Sequence, residues 1–146
     1  MAEREHKLLV LVIEDQQYHL QVIERVLAES KTLSNVVVMQ TAEQGLDYLY
    51  RRGDYAQAKR PDFILLNVHL TDGAGATVLS MVKADVSLRR IPIVVLTHLA
   101  DSDAILASYQ HQCNCYVIKP QDLDHLDEVV RAVESFWFNI VTLPAK

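Results

Sequence analysis

Two kinds of hydrophobic pattern alternate along the chain. The first is a short unbroken apolar run: LLVLVI at Leu8 to Ile13, NVVVMQ at Asn35 to Gln40, FILLN from Phe63, IVVLT behind Ile91-Pro92, and CYVI closed by Lys119-Pro120. Continuous runs of strand length, rich in β-branched residues, fit strands buried on both faces of a parallel sheet. The second pattern has helical spacing. Leu20, Ile23, Val26 and Leu27 come after the first run, Val78, Leu79 and Val82 after the TDGAGA turn, and Asp101 to Gln110 forms a weaker apolar helix. Thr41 with Gln44 three residues on has capping-box spacing and opens another helix. A final stripe joins Leu123, Leu126, Val129, Val130, Val133, Trp137 and Ile140.

Five strands alternating with five helices predict an α/β fold: a five-stranded parallel sheet with helices on both faces, doubly wound as (βα)5. No repeat, low-complexity stretch or linker divides the 146 residues, which fit one domain with one core. Such sheets place their functional crevice outside the carboxyl ends of the strands. Glu14 and Asp15, Asn67, Thr97 and Lys119 stand at those ends. Each alone is an ordinary cap or turn residue, but together they predict one convergent site.

Composition narrows the function. A net charge of -5, with no basic stripe among aromatics, argues against nucleic acid and against anionic membranes. No apolar run reaches the ~18–20 residues of a membrane span, and MAEREHK lacks the apolar core of a secretory signal. Cys113 and Cys115 have no partner cysteine elsewhere, which points to a reducing, cytoplasmic setting. The six histidines show no metal-like pairing on a helix; His69 reads as a solvated side chain at the loop mouth and His98 as a neighbour of Thr97.

The motifs VLVIEDQ, ILLNVHLTDGAG, IVVLT and CYVIKP resemble those of response-regulator receiver domains over nearly the whole chain. KADVSLRRIPIVVLT, NCYVIKP and the ending ESFWFNIVTLP resemble, more narrowly, the regulators that accompany cyanobacterial phytochromes. The resemblance implies a flavodoxin-like fold and a role in two-component signalling, without enzymatic turnover, beside a phytochrome-type histidine kinase. It implies a Mg2+ site made by Glu14, Asp15, Asn67 and the backbone carbonyl of His69. It also implies phosphoryl contacts from Thr97 and Lys119, a switch pair of Thr97 and Tyr116, and a cis bond before Pro120. A homodimer through the last helices and strand is a further implication. No output domain comes after the receiver pattern, so direct DNA binding is not expected.

Asn67 departs from the family, which carries a phosphoaccepting aspartate there. A carboxamide oxygen is neutral and weakly nucleophilic, so it forms no acyl phosphate. With Glu14 and Asp15 at -1 each and Lys119 at +1, the group sums to -1, where an aspartate would give -2. Weak Mg2+ binding and a phosphorylation-silent module working through protein contacts are therefore expected. Thr71 and Ala74 depart as well, where proline and aspartate are usual. Asn67 stands either as a natural residue or as an engineered change in a phosphoaccepting receiver, and His69, Thr71 and Asp72 are nearby alternative acceptors. A small nucleotide or flavin binder on a similar sheet is another reading, but EDQQ stands after the first strand where a Gly-rich phosphate cradle would be needed.

Phe136, Trp137 and Phe138 open a C-terminal extension of about 136–146. Neighbours on a helix point ~100° apart, so the three cannot share one core. At least one is expected outside, as part of an apolar interface.

Overall fold

The computed structural model describes residues 8–144. Five strands, β1 (Leu8–Ile13), β2 (Leu33–Met39), β3 (Phe63–Leu66), β4 (Ile93–Thr97) and β5 (Cys115–Ile118), form one parallel sheet in the order β2-β1-β3-β4-β5. The connecting helices are α1 (Gln17–Ala28), α2 (Ala42–Leu49), α3 (Gly75–Ala84), α4 (Ser102–Gln110) and α5 (Leu123–Ser135). The strand and helix count agrees with the sequence pattern, and β2 begins two residues early, with a register shift between Leu8 and Leu9.

Side chains alternate across a strand, and each run is thereby divided between two cores. Leu11, Ile13, Ile64, Leu66, Ile93 and Val95 face α2 and α3, meeting Leu46, Leu49, Val78, Leu79 and Val82. Val10, Val12, Phe63, Leu65, Val94 and Leu96 face α1 and α5, meeting Leu20, Ile23, Leu27, Leu126 and Val130. Both faces are therefore dry, which is why the runs are continuous rather than alternating. Helix α4 buries little besides Ser108 and leaves Leu106 and Tyr109 exposed. Its weak apolar pattern matches that peripheral seat.

Helix starts obey local chemistry. Thr41 Oγ1 accepts from Gln44 N at 3.1 Å, while the Gln44 side chain reaches back to Gln40 N rather than to Thr41 N. Asp101 and Asp122 cap α4 and α5 in the same way. None of the helices among the described residues is long and apolar enough to cross a membrane.

The predicted final stripe breaks at Ser135. From Phe136 to Ile140 the backbone opens into a π-helical turn, closed by Val141 N donating to Phe136 O at 2.9 Å across five residues. The extra residue in the turn rotates the side chains along this last segment. Phe138 enters the core edge-on to Phe63, Trp137 rests half-buried on the same ring, and Ile140, expected inside, is 69% exposed. Phe136 is the exposed aromatic of the three.

This arrangement separates two nearby phenylalanines energetically. Phe138→Ala should cost about 3–5 kcal/mol of unfolding free energy, as a large-to-small core change. Phe136→Ala should stay within about 0.5 kcal/mol. Urea unfolding of the two variants checks the difference.

Candidate functional site

The strand ends converge as the topology requires. β1 lies between β2 and β3, so Glu14 and Asp15 emerge beside Asn67, and β4 and β5 bring Thr97 and Lys119 alongside. Asn67 N donates to Ile13 O and Lys119 N to Thr97 O, which continues the ladder into the site itself.

At its centre is a buried ion pair. Lys119 Nζ meets Glu14 Oε1 at 2.6 Å, with side-chain exposures of 0% and 2%. The second carboxylate oxygen, Glu14 Oε2, accepts from the backbone N–H groups of Asp15 and Gln16 and from Asn67 Nδ2 at 3.0 Å. Asn67 Oδ1 in turn accepts from His69 N at 2.8 Å. Both ends of the carboxamide are engaged, and its amide donor and the ammonium hold different oxygens of Glu14.

Asp15 has one oxygen engaged: Oδ2 accepts from Thr71 N at 2.7 Å. Burial acts to raise its pKa, but the hydrogen bonds from Thr71 and the Lys119 charge outweigh it, and the carboxyl titrates below its ordinary range. Asp15 Oδ1 and Thr97 Oγ1 are the buried side-chain atoms without a hydrogen-bond partner among the described residues. Asp72, an alternative acceptor by sequence, has both oxygens on backbone donors: Oδ1 on Ala74 N and Oδ2 on Ala42 N. It ties the loop after β3 to the start of α2.

Gly75 fixes that loop from below. A Cβ there would lie 2.6 Å from Val68 O and 2.7 Å from Asn67 O, so a side chain would press on the backbone carrying Asn67. Tyr116 is half-buried, and its hydroxyl donates to Leu99 O at 2.7 Å in the loop beyond Thr97. Lys119–Pro120 corrects one expectation. No cis peptide bond occurs among the described residues, and this one takes the trans form that tertiary amides intrinsically prefer.

His19 was not legible as a site residue. It lies in the first turn of α1, and its Nδ1 sits 2.9 Å from Lys119 Nζ, with the His98 ring edge-on at 5.0 Å. A first-turn residue of the helix after β1 lies close to the strand ends, and that position was the available signal. Burial, followed by the Lys119 charge, holds both imidazoles below their ordinary pKa. His19 thus accepts a hydrogen bond from the ammonium while neutral.

A divalent cation needs several free oxygens. Glu14 and Asn67 are closed on protein donors, and no group of three or more His, Cys, Asp or Glu among the described residues is arranged to hold a metal. As arranged, the donor set does not fit a cation, apart from Asp15 Oδ1. Cys113 and Cys115 are both free thiols, pushed up in pKa by burial.

Residues 10–131 match the response regulator receiver domain. The chain belongs to that family. Response regulator Rcp1 of Synechocystis is 34% identical over 137 residues, covering 94% of this chain and 93% of that protein. The crystal structure of the phosphorylated cyanobacterial phytochrome response regulator RcpA superimposes with a TM-score of 0.92 at 36% identity, covering 95% of this chain and 99% of that one. The Mn2+-bound form of Rcp1 gives 0.90 at 34% identity, covering 94% and 99%. This receiver is a two-component signalling domain related to the phytochrome response regulators, and it shares their flavodoxin-like fold.

The lowered histidine pKa values set a pH dependence for the receiver. Between those values and the ordinary 6.5, the unfolded chain binds more protons, so stability is complete above about pH 6.5 and declines as pH falls. The exposed His125, raised by its hydrogen bond to Asp122, acts in the opposite direction. His19→Gln should therefore lose less stability than the unaltered receiver between about pH 7 and pH 5, measured by urea midpoints.

Proposed function

We propose that this receiver works with a phytochrome-type histidine kinase as a phosphorylation-silent regulator, in which Asn67 occupies the phosphoacceptor position. The closed carboxamide carries the reading. Nδ2 is committed to Glu14 and Oδ1 to His69 N, so no free anionic oxygen stands at the end of β3. In-line attack on a phosphorus atom requires such an oxygen, with its charge spread by a cation. Its output is protein contact rather than catalysis.

The amide also explains why Mg2+ should bind weakly. An incoming ion would have to displace Asn67 Nδ2 and Lys119 from Glu14 before the carboxylate could turn to it. An aspartate at this position would instead face Glu14 and Asp15 as a third carboxylate and invite the cation. Without a phosphoryl group to draw Thr97, the Thr97–Tyr116 pair has no covalent input, and a partner must bind its two arrangements unequally to shift it.

Intact mass after incubation with a small-molecule phosphodonor and Mg2+ tests the reading beside Asn67→Asp. A phosphoryl group is expected on the variant alone; its appearance on the unaltered chain would place acceptance on another residue and refute silence. In parallel, about 10 mM Mg2+ should raise the melting temperature of Asn67→Asp and leave that of the unaltered receiver nearly unchanged.

Dimerisation through the last strand and helices forms part of the same proposal. Ile118, Leu123, Phe136 and Ile140 are exposed large apolar side chains on those elements, and exposed apolar surface of this kind marks partner sites. Of the predicted interface aromatics, Phe136 is the one free to meet a partner, since Phe138 lies in the core and Trp137 half-buried against Phe63. A twofold homodimer is expected at tens of micromolar in sedimentation (roughly the affinity of a modest interface). Phe136→Glu should convert it to monomer, and a monomeric unaltered chain would sink the proposal.

A further inference from the structure

The end of the sheet remote from Asn67 has a different chemistry. Arg51, Arg52, Lys59, Arg60, Arg89 and Arg90 are six of the 14 Lys and Arg residues, and all lie in the two connectors that lead into β3 and β4. With Asp54, Asp62 and Asp85 in the same connectors the sum is +3, which on a chain of net charge -5 still makes a basic pole. A cleft of about 310 Å³ opens there between the end of α2, the connector into β3 and the turn after α3. Small-ligand pockets begin near that volume.

Three cations line it without neutralisation. Arg51, Lys59 and Arg60 make no ion pair among the described residues. Arg60 donates to the carbonyl of Ser87 across the cleft, which fixes its guanidinium while leaving its charge unmatched. Arg52 is different, being paired to Asp47 at 2.9 Å and lying outside the lining. The neighbouring acid, Asp85, is held by its own loop, where Oδ1 accepts from Ser87 N, Ser87 Oγ and Leu88 N, and it also takes a hydrogen bond from Tyr50 of the cleft wall, so its charge faces groups other than the three cations. Leu49, Pro61 and Leu88 supply apolar wall, and Tyr48 is fixed by donating to Lys59 O at 3.0 Å.

The backbone at Arg51 adds a separate observation. Its φ of 56° lies in the left-handed region, just past the end of α2, and Arg52 N closes onto Asp47 O at 2.9 Å. That position at a helix end favours glycine. An arginine there bears a conformational cost, and its side chain lines the cleft.

We propose that this cleft binds a small organic anion, with a phosphate or carboxylate head held by Arg51, Lys59 and Arg60 and an apolar body against Leu49, Pro61 and Leu88. It is a second ligand site on the receiver, independent of Asn67 and of the reading given to it. A head alone would bind less well than a head carrying a ring, because the ring covers the apolar wall. Phosphate and carboxylate are separable by charge, the dianion being favoured by three cations.

Amide chemical shifts under titration with phenyl phosphate, benzoate and inorganic phosphate, against sodium chloride at matched ionic strength, test this. Saturable shifts at Arg51, Lys59, Arg60 and Ser87 are expected with phenyl phosphate, weaker ones with inorganic phosphate, and none with chloride; the benzoate series ranks the two heads. Arg51→Gly should weaken phenyl phosphate by about threefold while melting at or above the unaltered chain, since glycine suits the backbone. Lys59→Gln, on the opposite wall, should weaken it similarly and serves if the glycine variant fails to fold. Shifts confined to Thr97 and Lys119, shifts reproduced by chloride, or affinity unchanged in both variants would each overturn the site.

Discussion

Burying the Lys119 ammonium against Glu14 is the constraint on which the rest of the site depends. Two charges removed from water are tolerated only if geometry and further hydrogen bonds compensate their lost hydration. Several segments around the crevice contribute to that compensation. The turn between β1 and α1 supplies two backbone donors to Glu14, Asn67 supplies a third from the end of β3, and His19 accepts from the ammonium. The crevice is thus a closed polar network rather than an open cup.

In that network Asn67 joins two segments. Its amide donates to Glu14, as a positive centre would, and its oxygen receives His69 N from the adjoining loop. Asp15 and Asp72 then tie the same loop to β1's end, through Thr71 N, and to the start of α2. The loop is held by protein groups. Two buried side-chain atoms, Asp15 Oδ1 and Thr97 Oγ1, have no hydrogen-bond partner among the described residues.

The two faces of the sheet separate this network from the exposed apolar and cationic surfaces. Continuous apolar strands close the interior, while α4 and the turn after α5 keep Leu106, Tyr109, Phe136 and Ile140 outside, the turn burying Phe138. The basic pole lies at the opposite strand ends, so the molecule carries an acidic crevice and a cationic cleft separated by the length of the sheet.

The sequence by itself determined the strands, the helices and the corners of the site. Apolar periodicity is local, and the continuous runs alternating with helical stripes favour a parallel sheet covered on both faces; Glu14, Asp15, Asn67, Thr97 and Lys119 were legible because they stand at the ends of those runs. Tertiary structure alone decided which atoms engage which. His19 joined Lys119 because the lysine side chain reaches across to Glu14 beside the first turn of α1, a proximity between residues 19 and 119 that no spacing encodes. The π-helical turn at Phe136–Ile140 was equally hidden: the helical stripe continues through Trp137 and Ile140, and only the packing of Phe138 on Phe63 favours the wider turn that turns Ile140 outward. The same is true of Arg51, whose left-handed backbone reflects how α2 must end to deliver the chain to β3. Periodicity marks the faces that tend to be buried, whereas the helix ending that exposes Ile140 and the hydrogen bonding between distant segments depend on distances that arise only after the segments have packed.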